Sequence, residues 1–471
     1  MKAEHNGGNG KGFAVAMDAF SVATSDPASA ERQARGSEAR FDIFDKCSTA
    51  EGNFGPQRQS GDTYFTRPLL DDKPGPRMHF DGRECVMWSV NDYLGFAGDP
   101  ELRRIAAATA AEWGASGPMG SRMMSGTTTP HLDLERSLAD LCGKPDSVLF
   151  NYGYLGVLGT IQALTEPDDI LVMDKMSHAC IVDAARMSAT GRNLRVFRHN
   201  DLASLERLLK SVQTRRKGGV LILTEGIFGM TGDCAPLDGI VELKEKYNAR
   251  LFVDDAHGFG VVGPDGRGAS ALHGVMDKTD IYFSTFAKAF ASIGCFSASE
   301  HSVVEWIKYN ARSQVFAKSL PMIFVKTAQR TLELMATDGD ERRRRMWHMS
   351  RLLAEGLRSM GFEVQHVPSP VVPVLLPSAR VVDCMTWSRY LRQRGIFVSP
   401  VVYPVVPRGM ALFRMIPTAS HTEADVEETL AGFRALRDEF SLDLAVDPQV
   451  VRTVYGPDAA TIGQDYARMA G

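Results

Sequence analysis

No window of the sequence reaches the roughly 18 apolar residues that a membrane span needs, and no long apolar stretch follows the charges at the N-terminus. Neither a membrane-spanning nor a secreted protein is expected. Cysteine is sparse and badly placed for disulfides or zinc: the seven residues Cys47, Cys85, Cys142, Cys180, Cys234, Cys295 and Cys384 are odd in number, scattered, and never fall in a CxxC pair. That pattern fits reduced thiols in a cytoplasm and gives no metal site. A strong charge of either sign is missing too, with 53 Lys and Arg against 57 Asp and Glu and a formal net charge of -4. Such a chain has no global field to gather nucleic acid or an anionic membrane, so small-molecule chemistry becomes the default. There is no repeat of fixed period, and low complexity is confined to glycines such as Gly7, Gly8 and Gly10.

What is present is an ordinary globular composition, 44% hydrophobic and 23% charged, over 471 residues, enough for two or three packed units. Residues 1–77 are expected to form an N-terminal arm, partly disordered or wrapped around a second subunit, with compact structure starting near Met78. Strand-length apolar runs at 148–151, 170–174, 220–224, 251–255 and 281–284 alternate with helical segments at 155–164, from 179 onward, and at 237–247. This alternation predicts right-handed βαβ crossovers and a large α/β domain over 78–320, its mostly parallel sheet lying between helices. Beyond Pro321 the pattern changes to a long helical region at 322–361, strands at 371–376 and 413–416, and a helix at 423–440. A smaller C-terminal α/β domain is expected over 321–471.

Ligands of an open parallel sheet bind beyond the carboxyl ends of its strands, and the polar residues gather there. Gly153 and Tyr154 follow the first predicted strand, Ser177 and His178 the second, and Glu225 and Gly226 the third; Asp254, Asp255 and His257 close the fourth, and Thr285 and Lys288 the fifth. Lys288 follows a buried strand in an apolar setting, and desolvation there lowers an amine's pKa and keeps it nucleophilic, as a Schiff base to an aldehyde requires. A lone lysine is more often a surface group with a buried stem, but this one has company. Asp254 ends an apolar strand as a carboxylate able to hold a protonated pyridine nitrogen, and His257 could donate to the phenolic oxygen of the same ring. His178 could stack on that ring, and the helix start at Gly153 and Tyr154 offers free N–H groups to a phosphate. Gly258-Phe259-Gly260-Val261-Val262-Gly263 satisfies the G-x-G-x-x-G dinucleotide pattern, but a turn at Pro264-Asp265-Gly266 follows where that fingerprint demands a helix. NAD is therefore not expected.

Assembled, these residues resemble the α-oxoamine synthases, a branch of the fold-type I pyridoxal-phosphate (PLP) enzymes, over about 89–440. The markers are Asn91-Asp92-Tyr93-Leu94-Gly95, Gly120-Ser121-Arg122, Ser177-His178-Ala179, His199-Asn200-Asp201, Thr224-Glu225-Gly226, Val253-Asp254-Asp255-Ala256-His257-Gly258 and Thr285-Phe286-Ala287-Lys288. The resemblance implies that Lys288 forms the Schiff base and later moves the Cα proton, that Asp254 pairs with the pyridinium, His257 with the ring oxygen, and that His178 stacks on the ring. It also implies that backbone at Gly153 and Tyr154 with the Thr285 hydroxyl holds the phosphate, and that Arg414, with Asn91, grips the substrate carboxylate. The chain departs from the family in having Ala287 before the lysine in place of Ser, Gly229 in place of a frequent Ser, and Cys295 in place of Gly. Where serine palmitoyltransferases often have Arg-Pro-Pro, it has Val402-Tyr403-Pro404.

The reaction this implies is a decarboxylative condensation of an amino acid with an acyl thioester, carried by coenzyme A or acyl carrier protein, in a cytoplasmic homodimer. The overall look is closest to the lipid-making branch, in which serine or a polar analogue such as cysteate meets a long acyl chain in sphingolipid-like or sulfonolipid synthesis. The alternatives are a short-chain synthase using glycine or alanine, an aminotransferase or aldolase on the same fold, and a non-catalytic subunit of a synthase.

Overall fold

The structure, a computed structural model, describes residues 42–455 apart from 51, 53, 54, 62, 189–192 and 404. The expectation for the first 41 residues lies outside this range. Seven strands form the central sheet in the order Asp146–Phe150, Cys295–Ser299, Ile281–Thr285, Arg250–Asp254, Val220–Glu225, Ile170–Asp174, Leu194–Phe197. All neighbours pair parallel except Cys295–Ser299, which runs antiparallel to both strands beside it. Ile170–Asp174, Val220–Glu225 and Ile281–Thr285 are buried along their whole length, as parallel strands covered on both faces must be. Alternate residues feed two cores. Val172, Ile222, Leu251 and Val253 face one, and Leu171, Met173, Leu223 and Phe252 face the other, as the two-residue period of a strand requires.

Two of these strands, Leu194–Phe197 and Cys295–Ser299, were not among the predicted apolar runs. The first is an edge strand, three of its four residues only half-buried. The second carries Ser297 and Ser299, whose hydroxyls are buried because each has a partner: Ser297 Oγ lies 2.7 Å from Thr160 Oγ1, and Ser299 Oγ donates to Asp280 O at 2.6 Å.

The C-terminal region holds a four-stranded antiparallel sheet, in the order Glu363–Val364, Val372–Leu375, Leu412–Met415, Ser399–Val401. Its helices include Val381–Arg392 and Glu423–Glu439. The last begins with a reciprocal cap, Thr422 N donating to the Asp425 carboxylate at 2.8 Å and Asp425 N to Thr422 Oγ1 at 3.3 Å. The hairpin Arg77–Phe80 and Arg83–Met87, read from sequence as the start of the large domain, hydrogen-bonds instead to Ile396–Phe397 of the C-terminal region. Arg77 Nε adds a bond to Asp425 at 2.8 Å. The helix Met322–Ser359 belongs to both cores: Val325, Ala328 and Met346 pack in the large one, Leu353 and Leu357 in the C-terminal one. No described helix is long and apolar enough to cross a membrane.

Candidate active site

The carboxyl ends of the parallel strands meet the C-terminal sheet across a cleft. Asp254 closes its strand directly beside Glu225, its register partner on the neighbouring strand. Lys288 lies three residues beyond the strand Ile281–Thr285, in a turn closed by Ala291 N to Lys288 O at 2.9 Å and Phe286 N to Gly294 O at 2.8 Å. Burial lowers the Lys288 amine to about 8, with Arg414 adding to the effect while the Asp254 and Glu225 carboxylates oppose it. The lowered value brings the unprotonated, nucleophilic form of the amine nearer to neutral pH than in an ordinary lysine. The chain thus supplies a nucleophilic amine without a strong base beside it.

Burial raises the Asp254 carboxyl above its ordinary value, against the pull of Lys288 and His178. Its Oδ1 accepts from Ala256 N at 3.1 Å, whereas Oδ2 has only the Cys180 thiol, 3.8 Å away. Glu225, also buried, is pushed up to about 8 by burial and by Asp254. It accepts the peptide N–H of His178 at 2.7 Å and so pins the loop that carries that histidine. The His178 ring is open to the cleft. Its Nδ1 meets the Cys180 N–H at 3.2 Å and the Cys180 sulfur at 2.9 Å, so Nδ1 is the acceptor and the hydrogen belongs on Nε2. Desolvation lowers its pKa, which keeps the ring neutral. His257 is buried with Nδ1 2.8 Å from the Tyr93 hydroxyl, and burial, Lys288 and Arg414 hold it well below its usual value.

Opposite stands Arg414, on the strand Leu412–Met415. Its Nη2 donates to Asn91 Oδ1 at 2.9 Å and its Nε to the carbonyl of Gly229. The structure therefore brings together the two residues expected to receive the substrate carboxylate.

The helix Gly153–Leu164 starts at the cleft. Its first-turn N–H groups have no intrahelical acceptor, and Tyr152 supplies no side-chain cap. A Cβ on Gly153 would stand 3.2 Å from Thr285 Oγ1, so glycine leaves a cradle between the helix start and that hydroxyl. The uncapped N–H groups beside that hydroxyl suit a phosphate on charge. The Thr285 hydroxyl already donates to Gly294 O at 3.1 Å and accepts from Ala287 N at 3.2 Å, so its free capacity is a lone pair unless it rotates. Tyr154 turns its phenol outward to Asp183 and offers the site its backbone only. Ser177, beside His178, has a buried hydroxyl with no partner among the described residues. With Asp254 Oδ2 open for a ring nitrogen and His257 for a ring oxygen, the donor set fits PLP. The glycine-rich decoy behaves as its proline foretold: Phe259 bridges to Arg267, and only a three-residue 3-10 turn, Pro264–Gly266, precedes the short helix Ala269–Leu272, so no long helix opens where a dinucleotide fingerprint needs one.

Four residues at the site were given no role from sequence: Tyr93, Cys180, Glu225 and Gly229. Tyr93 and Glu225 stood inside the quoted motifs, but only their partners in space reveal what they touch.

The aminotransferase class I and II family matches residues 83–433, and the chain belongs to it. Within that family it falls on the α-oxoamine synthase branch. It is 45% identical over 403 residues to the cysteate-C-fatty acyltransferase of Capnocytophaga ochracea, covering 84% of this chain and 95% of that one. It is 33% identical to the 8-amino-7-oxononanoate synthase of Thermoanaerobacter pseudethanolicus, covering 80% and 94%. Among solved structures, a serine palmitoyltransferase from S. paucimobilis with a bound PLP–myriocin aldimine superimposes with a TM-score of 0.78 at 28% identity, over 85% of this chain and 99% of that one.

Proposed function

We propose that this chain is a PLP-dependent acyltransferase that condenses serine, or a polar analogue such as cysteate, with a long-chain acyl thioester to give a 3-keto amine in sphingolipid-like or sulfonolipid synthesis. The observation that carries the reading is that Lys288, Asp254 and Arg414 lie close enough to act on one another's charge beyond the strand ends, with Asp254 Oδ2 left to the Cys180 thiol at 3.8 Å as its one side-chain partner among the described residues. The identity with the cysteate acyltransferase supports the polar amino acid and the fatty chain.

When bound, PLP supplies an aldehyde for the amine and a ring that takes up an electron pair. The residues do the rest. The Lys288 amine would hold the cofactor and, once freed by the incoming amino acid, would take the Cα proton. Asp254, kept from water, holds a proton on the ring nitrogen, and His257 offers a hydrogen bond to the ring oxygen. Arg414 and Asn91 hold the substrate carboxylate as a planar fork suits it. In the balanced reaction a bond forms between Cα and the acyl carbon, the carbon–sulfur bond breaks and the thiol leaves, the carboxylate departs as CO2, and a proton returns to Cα.

All seven cysteines are free thiols, which supports a cytoplasmic setting. Exposed Met119, Met124 and Phe316, on segments joined by the Ser319 N to Gly120 O bond, support a homodimer in which a second copy covers this face. The test is an incubation of the holoenzyme with mixed amino acids and short or long acyl thioesters, read by thiol release and product mass. The expected product carries serine or cysteate and a long chain. Fastest turnover with glycine or alanine and a short acyl group would replace this reading with the short-chain synthase, which the second relative favours. Amino transfer without thiol release would replace it with an aminotransferase.

A further inference from the structure

Asn91 and Tyr93 serve different parts of the site, yet both ride on one irregular loop, residues 91–99. We propose that Arg342, on the helix Met322–Ser359, is a positioning residue: it clamps this loop and so sets where Asn91 meets Arg414 and where Tyr93 meets His257. This rests on the PLP reading above and adds to it a residue that acts through two others.

Asn91 Oδ1 accepts from Arg414 Nη2 at 2.9 Å, and the Tyr93 hydroxyl lies 2.8 Å from His257 Nδ1. The approach to the loop and its first residues are anchored by backbone: Ile416 N donates to Trp88 O and Ala419 N to Tyr93 O, both at 2.8 Å. The remainder turns twice, with Gly95 N donating to Asp92 O at 3.0 Å and Asp99 N to Phe96 O at 3.1 Å. Glycine is required at the first turn, where φ is +71° and a Cβ would come within 2.2 Å of Ser420 Oγ.

Arg342 holds this second part at three points. Its Nη1 donates at 3.0 Å to the carbonyl of Leu94, the residue next to Tyr93, and its Nη2 donates to Asp99 Oδ2 at 2.8 Å. The guanidinium also lies 4.4 Å from the centre of the Phe96 ring. Asp338, one turn back on the same helix, accepts from Nε at 2.7 Å and aims the group. A planar fork can serve a carbonyl, a carboxylate and a ring face together, which an ammonium cannot. The Arg342 side chain is 20% exposed and that of Asp99 9%, so solvent screens the pair less than a surface ion pair. Because the helix packs in both cores, the clamp ties Tyr93 to a fixed frame. Without it, Leu94 O and Phe96 lose this partner and the peptide beside Tyr93 can shift. A hydrogen bond whose distance window spans about half an ångström registers such a shift.

Arg342→Met keeps most of the stem and removes the fork. In the holoenzyme the amino-acid KM should rise about tenfold, with kcat changed by about threefold or less. PLP affinity, titrated by absorbance after the cofactor is stripped, should weaken by about three- to tenfold. Arg342→Lys keeps the charge and should recover part of each change. Asp99→Asn is the second variant should Arg342→Met fold poorly. Asparagine caps the helix Pro100–Trp113 as well as aspartate does, so only the charge that Arg342 holds is lost. It should raise KM and weaken PLP binding by about threefold. Were Arg342 a stability residue alone, the folded fraction would fall while KM and PLP affinity of the folded protein held. Values within about 1.5-fold of wild type for both quantities in both variants overturn the proposal. A wild type with no visible band on addition of PLP overturns the PLP reading instead, so the two failures are distinct.

Discussion

Two strands of the central sheet end alike: Ile170-Leu171-Val172-Met173-Asp174 and Arg250-Leu251-Phe252-Val253-Asp254 both run through apolar residues to a buried carboxylate. Around Asp174 both oxygens are engaged. Its Oδ1 accepts from His199 Nδ1 at 2.9 Å and Met176 N at 2.7 Å, and its Oδ2 from Asn200 N at 3.0 Å. The far nitrogen of His199 reaches Asp233 at 2.8 Å, and Asn200 Nδ2 reaches the same oxygen at 2.8 Å. Burial alone would lower the His199 pKa, but the two carboxylates outweigh it and push it up to about 10. Around Asp254 one oxygen accepts from Ala256 N at 3.1 Å, while Oδ2 stays open, with a thiol at 3.8 Å as its only side-chain partner among the described residues. A cluster whose carboxylate oxygens are all engaged holds loops together; one with an open oxygen can receive a ligand. His199-Asn200-Asp201, one of the family's marks in this sequence, thus belongs to the frame of the site rather than to its chemistry.

The contrast can be broken from either side. Lys288→Ala should lower turnover by about 10⁴-fold or more and leave no borohydride-fixed cofactor on that peptide, while denaturant unfolding stays close to wild type. A large loss of stability would make the open cluster structural after all. His199→Ala should do the reverse. It leaves two buried carboxylates without their cation, at a cost of about 3–5 kcal/mol in unfolding free energy, with turnover per folded molecule changed by about twofold or less. The same histidine predicts a pH dependence. Because its folded pKa of about 10 lies above the ordinary 6.5, its stabilisation is whole below pH 6.5 and is lost as pH rises towards 10. The melting temperature of the wild type should fall over that window more steeply than that of the variant. The smallest effect is expected at the seam between the two clusters. A Cβ on Gly229 would come within 2.1 Å of His257 Nε2, so Gly229→Ala forces the imidazole to move. Overpacking of this kind costs about 1–3 kcal/mol. It should appear as cofactor affinity weaker by about ten- to a hundredfold, measured by absorbance titration.

The comparison also shows where reading a sequence succeeds and stops. Strands such as Ile170–Asp174 and Ile281–Thr285 were legible because burial on both faces leaves an unbroken apolar run. Cys295–Ser299 was not, since its serines satisfy themselves through Thr160 and Asp280, far along the chain. The hairpin at Arg77–Met87 is local, but its partner Ile396–Phe397 lies some three hundred residues on, and no periodicity encodes that pairing. Lys288, Asp254, His178, His257 and Arg414 stood out as candidates because a strand end, a motif and a charge type coincide. Tyr93 was not singled out, because a phenol inside an apolar motif reads as core until its hydroxyl is found 2.8 Å from His257 Nδ1. Gly229, read from the sequence only as a departure from a frequent Ser, leaves room for the His257 imidazole in the structure.

The helix Met322–Ser359, 38 residues and about 57 Å long, is rooted in both cores. It acts as a common beam: the lobe bearing Arg414 cannot swing away from the lobe bearing Lys288 without bending it or tearing packed residues such as Met346 and Leu353 from their beds. The reach between amine and guanidinium is therefore set by a rigid strut, which leaves loops rather than lobes to adjust to the size of the molecule held between them.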